Sequence, residues 1–514
     1  MRTSSPGVLF VLSTLLASCS EADVRKTSEP PTLPRKELLN PDTCGKCHTD
    51  HYREWSTSMH AYASKDPLFI AMNKRGQEET HGELGNFCVN CHAPMAAREL
   101  GETTIDPESI PNELQGVTCY FCHDVAQVAG THDNPLVLSN GATMRAAYPR
   151  FPKDAQATPA VQYGAHIADY SPLLDSGNIR SSNLCGACHD IVVPAHFSGA
   201  DAGSGSGVAL ERTFQEWKES AFGPSSTPPM ACGTCHMREI QSVPIASPPE
   251  AGGGMPSRTR HVHTFAAVDS AFADPDPSVR TAQQGELRRL LDNELRIQVC
   301  VDLAFGNIQL TLENNSAGHN FPSGASQDRR LWAEMEVSDG TRTYTLAKVG
   351  PTENVVDFDV PPAEHVTFPL LRDRTTKRDG SPAHMFWDVA NIEDRTIPVA
   401  PLGERDFNTR VYGFPETLTK VLRPTSVKVR VWLEPVGRDV VADLIASGHI
   451  TPDSAIGQMF AAGTLPRYSL LPKRVTAEVP DDAWSLEWNR TVVQADGGPD
   501  SDSGQYKCVQ STER

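Results

Sequence analysis

The chain changes texture along its length. From about residue 290, short stretches alternate apolar and polar positions or run in β-branched residues: IQVCVDLAF, IQLTLEN, RLWAEMEVSD, RTYTLAKV and SVKVRVWLEP. A period of two at this length predicts strands with one buried face. Trp332, Met335 and Val337 belong to one of them. Such a run of strands predicts an antiparallel β-sandwich of roughly immunoglobulin type. Residues 440–463 read as helical around a turn at Thr451-Pro452, and the Gly-, Asp- and Ser-rich tail from Ala495 reads as loose.

The first half lacks this alternation. HYREWSTSMHAYA, residues 51–63, has helical character, whereas GADAGSGSG (199–207) and SPPEAGGGMPS (247–257) read as flexible loops. A weak repeat is visible: YREWSTSMH at 52–60 and FQEWKESAF at 214–222 share aromatic-x-Glu-Trp-x-x-Ser, with Phe222 where the first copy has His60. Either two helices pack a Trp alike, or both pack a prosthetic group and only the first supplies a ligand. At the N-terminus, Arg2 precedes an apolar run, Val8 to Ala17, too short to span a bilayer. It ends in Leu16-Ala17-Ser18-Cys19, which resembles a bacterial lipoprotein signal with Cys19 as the lipidated residue; an ordinary secretory signal is the alternative. Ser20 after that cysteine favours the outer membrane. The expected organisation is a signal peptide at 1–19, a Pro-rich tether at 20–40, a motif-bearing domain at 41–265, a β-sandwich-like domain at 266–490 and a flexible tail at 491–514. The fold class is α+β: a mainly helical or irregular domain followed by an antiparallel sandwich.

A formal charge of −18 over 514 residues argues against nucleic acid and anionic lipid surfaces as partners. The thirteen cysteines decide more. Ten fall in five C-x-x-C pairs: Cys44/Cys47, Cys88/Cys91, Cys119/Cys122, Cys185/Cys188 and Cys232/Cys235. A histidine follows each: His48, His92, His123, His189 and His236. Chance would place one C-x-x-C-H in about one such chain in a hundred. The spacing suits haem c, in which two thiols form thioethers to the vinyl groups and the next imidazole meets the iron. Zinc ribbons and redox dithiols need no histidine there. Five covalent haems are therefore expected, packed between residues 44 and 236 so that the macrocycles supply much of the core.

Each iron has a sixth position. The remaining histidines outnumber these positions, so bis-histidine ligation is expected over Met59, Met95 or Met237. His60 is the leading candidate. In a continuous helix it would lie about 18 Å from His48, so it should serve a different haem. His166 and His196 are further candidates, and RHVHTF offers His261 or His263. His319, in NNSAGHNFPSG, is expected to reach a haem from the sandwich. His51, His81, His132, His365, His384 and His449 read as ordinary. Cys300 and Cys508 are either a disulfide or two free thiols.

CGKCH (44–48) with EWSTSMHA, GVTCYFCHDV, LCGACHDIVVP, EWKESAF with CGTCHM, and HVHTF resemble the cytochrome c-554-type multihaem family over residues 41–265. GHNFPSG (318–324) resembles the β-domain that follows such haem modules. The resemblance implies a periplasmic or surface electron carrier whose partners are other redox proteins. It carries over His60 as a distal ligand, and with less force His263 and His319. The named family member has four haems where this chain has five motifs. Pentahaem nitrite reductases use a C-x-x-C-K haem that is absent here, and octahaem hydroxylamine oxidases need more motifs. An exported, lipid-anchored electron carrier on the periplasmic face or surface of the outer membrane is the leading expectation. The alternative is an enzyme with one open haem acting on a small nitrogen or sulfur species.

Overall fold

The structure is a computed structural model. It describes residues 33–147, 166–197, 207–246, 257–272, 276–292, 294–355, 370–400, 409–414, 419–471, 485–491 and 506–511. The expected signal with Cys19, most of the tether, both Gly-rich loops apart from their end residues, and His365 lie outside them.

The alternating stretches of the second half form two antiparallel sheets. One has the order Thr409–Phe414, Ile308–Asn314, Leu295–Asp302, Tyr506–Gln510. The other has the order Thr343–Leu346, Arg330–Ser338, Ser426–Glu434, Tyr468–Ser469, with Leu486–Asn489 also on Ser426–Glu434. Alternation decides the facing. Ile297, Val299 and Val301 pair with Leu312, Leu310 and Ile308, and all six are buried. Met335 and Val337 pair with Val429 and Val427 on the other sheet, and these inner faces share one core closed by Trp488. Sequential strands distribute between the sheets as in an immunoglobulin sandwich. On the outer face Trp332 stands opposite Trp432, and the Arg467 guanidinium covers both while pairing with Glu434 at 2.7 Å.

Two expectations change here. The tail is not loose throughout: Tyr506–Gln510 is a strand, because residues 298–302 offer an open sheet edge and Val509 packs against the core. Cys508 lies directly opposite Cys300 on that edge, and the two form a disulfide with Cα atoms 4.0 Å apart. The tether also ends sooner than residue 40. Arg35–Leu38 is a helical turn with Leu38 buried and the Arg35 guanidinium donating to the Tyr120 hydroxyl at 3.1 Å.

The motif-bearing half is built from short helices. Thr49–Ser56 stops at Thr57, and a new turn, Met59–Tyr62, starts under the Ser58 side chain, which accepts from Ala61 N. The segment to His60 is therefore helical, as its character suggested, but not one continuous helix. One apolar cluster, including Met95, Ile105, Tyr120 and Phe121, forms a side wall. The helical pair Arg438–Ala446 and Ala455–Ala462 leaves the sandwich and packs on Leu68 and Ala71 of the helix Pro67–Glu79. Trp387 Nε1 donates to Glu79 at 2.7 Å. The sandwich is thus docked along the first half.

The disulfide closes a loop of more than two hundred residues, so removing it should act mainly on the unfolded chain. The double variant C300A/C508A is expected to lose about 2–4 kcal/mol in guanidinium unfolding followed by circular dichroism. Equal midpoints for variant and parent would contradict a stabilising role.

Candidate haem-binding site

Three of the motifs lie on a single helical turn, Val89–His92, Cys119–His123 and Cys232–His236, and the other two start at the ends of the helices Pro41–Gly45 and Ser182–Gly186. A turn brings residues three and four apart to one face, so both thiols and the imidazole point the same way. All ten motif cysteines and all five motif histidines line one continuous cavity of about 1910 Å³. The thiols of Cys44 and Cys119 are close neighbours, as are those of Cys91 and Cys188 and those of Cys185 and Cys232. Among the described residues no three His, Cys, Asp or Glu side chains converge on a single metal ion.

Backbone carbonyls orient the imidazoles. Nδ1 of His48 donates to Ile245 O at 2.8 Å, that of His92 to Ala63 O at 3.2 Å, that of His123 to Arg145 O at 2.7 Å and that of His236 to Ala266 O at 2.8 Å. A carbonyl only accepts, so Nδ1 carries the proton and Nε2 keeps its lone pair for a metal. His263 and His319 are set the same way, on His261 O and Asn320 O, both at 2.8 Å.

Four imidazole pairs face each other across the cavity. Ring centres are 6.1 Å apart for His48 and His166, 6.3 Å for His60 and His189, 6.5 Å for His123 and His263, and 6.4 Å for His236 and His319. Two imidazoles on opposite sides of one iron need about this span. Each metal–nitrogen bond is about 2 Å and the ring centre lies about 1 Å behind the nitrogen, giving about 6 Å. His60 therefore stands opposite a motif histidine other than His48, although the continuous helix behind that expectation is interrupted at Thr57.

His92 differs. Its ring stacks on Phe69 at 4.2 Å and 7°, and among the described residues no imidazole contacts it. Two candidates are not brought opposite a motif histidine. His196 is exposed, does not line the cavity, and rests its ring on Phe197 at 3.9 Å. His261 lines the cavity, but its Nε2 meets Ser176 Oγ at 3.0 Å and its Nδ1 meets Met237 O at 3.0 Å. Both nitrogens are engaged; of the pair in RHVHTF, His263 faces His123. His51 reaches the cavity wall beside His48 and His263, at 5.6 and 4.8 Å.

The chain covers these imidazoles from outside and leaves them open only to the cavity. Burial, with other imidazoles nearby, pushes His60 and His263 down to about 3, and His189 and His319 to about 4. They stay neutral at neutral pH, the state in which imidazole binds a metal. Burial acts oppositely on the cavity carboxyls: Asp66 and Glu211 rise to about 7 and Asp328 to about 6. The apolar wall, the thiol pairs on turns and the facing neutral imidazoles fit haem c.

Two residues missed in the sequence bind the loops that carry ligand candidates. Glu54 accepts from His263 N at 3.0 Å and Glu216 from Asn320 N at 3.0 Å. Their signal was the repeated Glu-Trp, whose tryptophan alone attracted notice.

Residues 43–124 match the family model described as cytochrome c554 and c-prime. Among solved structures, a penta-haem cytochrome c552 from Thermochromatium tepidum superposes with a TM-score of 0.53 at 18% identity, covering 89% of this chain and 100% of that one. At that identity the likeness is one of fold. No curated protein matches the sequence. The family match falls on the first three motifs, and the fold shared with a penta-haem protein spans most of the chain. Together these similarities support a multihaem cytochrome c family member.

Proposed function

We propose that the chain carries five covalent haems and passes electrons along them, outside the cytoplasm, held to the outer membrane by lipid on Cys19 and exchanging electrons with other redox proteins. The observation that carries this reading is the set of four imidazole pairs at 6.1–6.5 Å. It supports His166, His60, His263 and His319 as distal ligands to the haems of His48, His189, His123 and His236. Haem c supplies reversible one-electron chemistry at iron. The protein's part is to hold attachment points close together and to keep both axial imidazoles neutral and oriented.

The thiol contacts support an order. Cys44 with Cys119 joins the first and third motifs, and Cys185 with Cys232 joins the fourth and fifth. Phe265 lies between His60 and His263, at 4.4 and 5.6 Å, linking these two groups. Cys91 with Cys188 attaches the second motif as a branch on the fourth. A second reading follows from that branch. Phe69 beside His92, with no imidazole contact among the described residues, favours a haem that binds a small molecule at its sixth position.

The intact exported protein is expected to weigh five haems more than its polypeptide; any other count removes the reading. H166A, H60A, H263A and H319A are each expected to keep five haems and turn one from low to high spin in the visible and EPR spectra. A variant whose spectrum stays fully low-spin strikes its histidine from the ligand set. The reduced parent is expected to take up about one CO per chain. No uptake would discard the open-haem reading and leave the carrier.

The cavity carboxyls predict a pH effect. An added electron makes proton binding at Asp66 and Glu211 more favourable, so the reduced protein holds more protons. As pH rises through about 7, where these groups titrate, midpoint potentials should fall, by less than about 59 mV per unit. Potentials flat from pH 5 to 8 would mean that these carboxyls are not coupled to the electrons.

A further inference from the structure

The two copies of aromatic-x-Glu-Trp-x-x-Ser do the same work atom by atom. Each sits on a short helix, Thr49–Ser56 or Thr213–Glu219. The aromatic residue lies over the glycine of the preceding motif. A Cβ on Gly45 would fall 2.7 Å from the Tyr52 ring, and one on Gly186 would fall 2.3 Å from Phe214. The serine lies just past the helix, with Ser58 Oγ donating to Trp55 O at 2.7 Å and Ser220 Oγ to Trp217 O at 2.8 Å.

The central pair reaches in two directions. Trp55 Nε1 donates to Val117 O at 2.8 Å, and Trp217 Nε1 donates to Met230 O at 2.9 Å. Val117 stands two residues before Cys119, and Met230 two before Cys232, so each indole holds the segment that leads into a motif. Glu54 accepts from the backbone N–H of His263, and Glu216 from that of Asn320, the neighbour of His319. Those two histidines face His123 and His236, the very motifs whose leads the indoles hold. Each carboxylate has one further anchor: Arg260 Nη1 donates to Glu54 at 2.7 Å, and Ser323 Oγ to Glu216 at 2.7 Å.

We propose that each Glu-Trp dipeptide is a clamp that positions both axial ligands of one haem, Glu54-Trp55 for the His123 haem and Glu216-Trp217 for the His236 haem. The inference rests on reading His263 and His319 as distal ligands. The tryptophan fixes the attached side and the glutamate the opposite side, so a single rigid helix sets their separation. In each case one carboxyl oxygen takes both the N–H of the ligand-bearing loop and its own anchor, which fixes its position. The ordinary alternative is that Glu54 is merely the partner of buried Arg260.

The test compares E54A, E54Q, E216A and E216Q with H263A and H319A, all as five-haem holoprotein confirmed by mass. E54A should convert up to one haem in five to high spin and raise the potential of that haem. It should be the haem that H263A perturbs, and E54A/H263A should look like H263A. E216A should match H319A in the same way. The glutamines keep an oxygen to accept the N–H, so E54Q and E216Q should restore the parental spectrum. An alanine variant that does not accumulate is replaced by aspartate, one methylene shorter, which draws the carboxylate back from the N–H and should show the same spectral change. If H263A and H319A stay low-spin, the ligand reading fails. If they change while the glutamate variants do not, or if E54Q behaves like E54A, the clamp is overturned.

Discussion

A metal held between two imidazoles fixes their ring centres about 6 Å apart, and most of this structure meets that constraint four times at once. The facing histidines come from distant parts of the chain. His60 follows the first motif, His166 immediately precedes the strand Ile167–Tyr170 laid parallel to Thr143–Ala146, His263 lies at the end of the motif-bearing half, and His319 belongs to the sandwich. Side-chain packing alone seldom holds distant loops to such a tolerance around a cavity. Here the backbone does part of it: Nδ1 of the motif histidines His48, His123 and His236 donates to carbonyls of other segments, whereas His263 and His319 donate to carbonyls within two residues of themselves. Moving a segment therefore moves an imidazole on another one.

Covalent chemistry was written plainly in the sequence because it is local. C-x-x-C-H needs one helical turn and no information from elsewhere. The sandwich was legible for a similar reason, since alternation is a local record of which face is buried. Distal ligands depend on tertiary neighbours and were only partly legible. Nothing near His261 announced that Ser176 would engage its second nitrogen, and nothing near His196 announced that its ring would lie outside. His319 was visible only through its glycine- and proline-bounded loop. The strand Tyr506–Gln510 was hidden by the polar segment before it, and its pairing depends on an edge two hundred residues away.

Electrostatics follows from the same cavity. A group that loses water keeps its neutral form, so buried imidazoles fall and buried carboxyls rise. Neutral imidazoles are ready for metal, and carboxyls near 7 can exchange protons when charge is added. Arg329 tempers the acidic side. It grips Asp269 with two bonds of 3.0 and 3.1 Å and also donates to Ser323 O, which ties this charge pair to the loop carrying His319.

The two Glu-Trp helices are equivalent in bonding but not in what they bond to. Glu54 holds a segment of the motif-bearing half itself, beside Arg260. Glu216 holds a loop of the sandwich, through Asn320 and Ser323, while neighbouring Thr213 Oγ1 accepts from Gly324 N at 2.9 Å. The first unit can therefore close from residues within one half of the chain. The second needs the sandwich in place before its distal side exists. Because metal binding stabilises whatever conformation brings the ligands together, a metal held by His319 would add to the docking of the sandwich, and docking in turn presents His319. The sandwich already walls the cavity through residues of the segment 316–325, and such a coupling would make completion of the fifth motif depend on the folding of both halves.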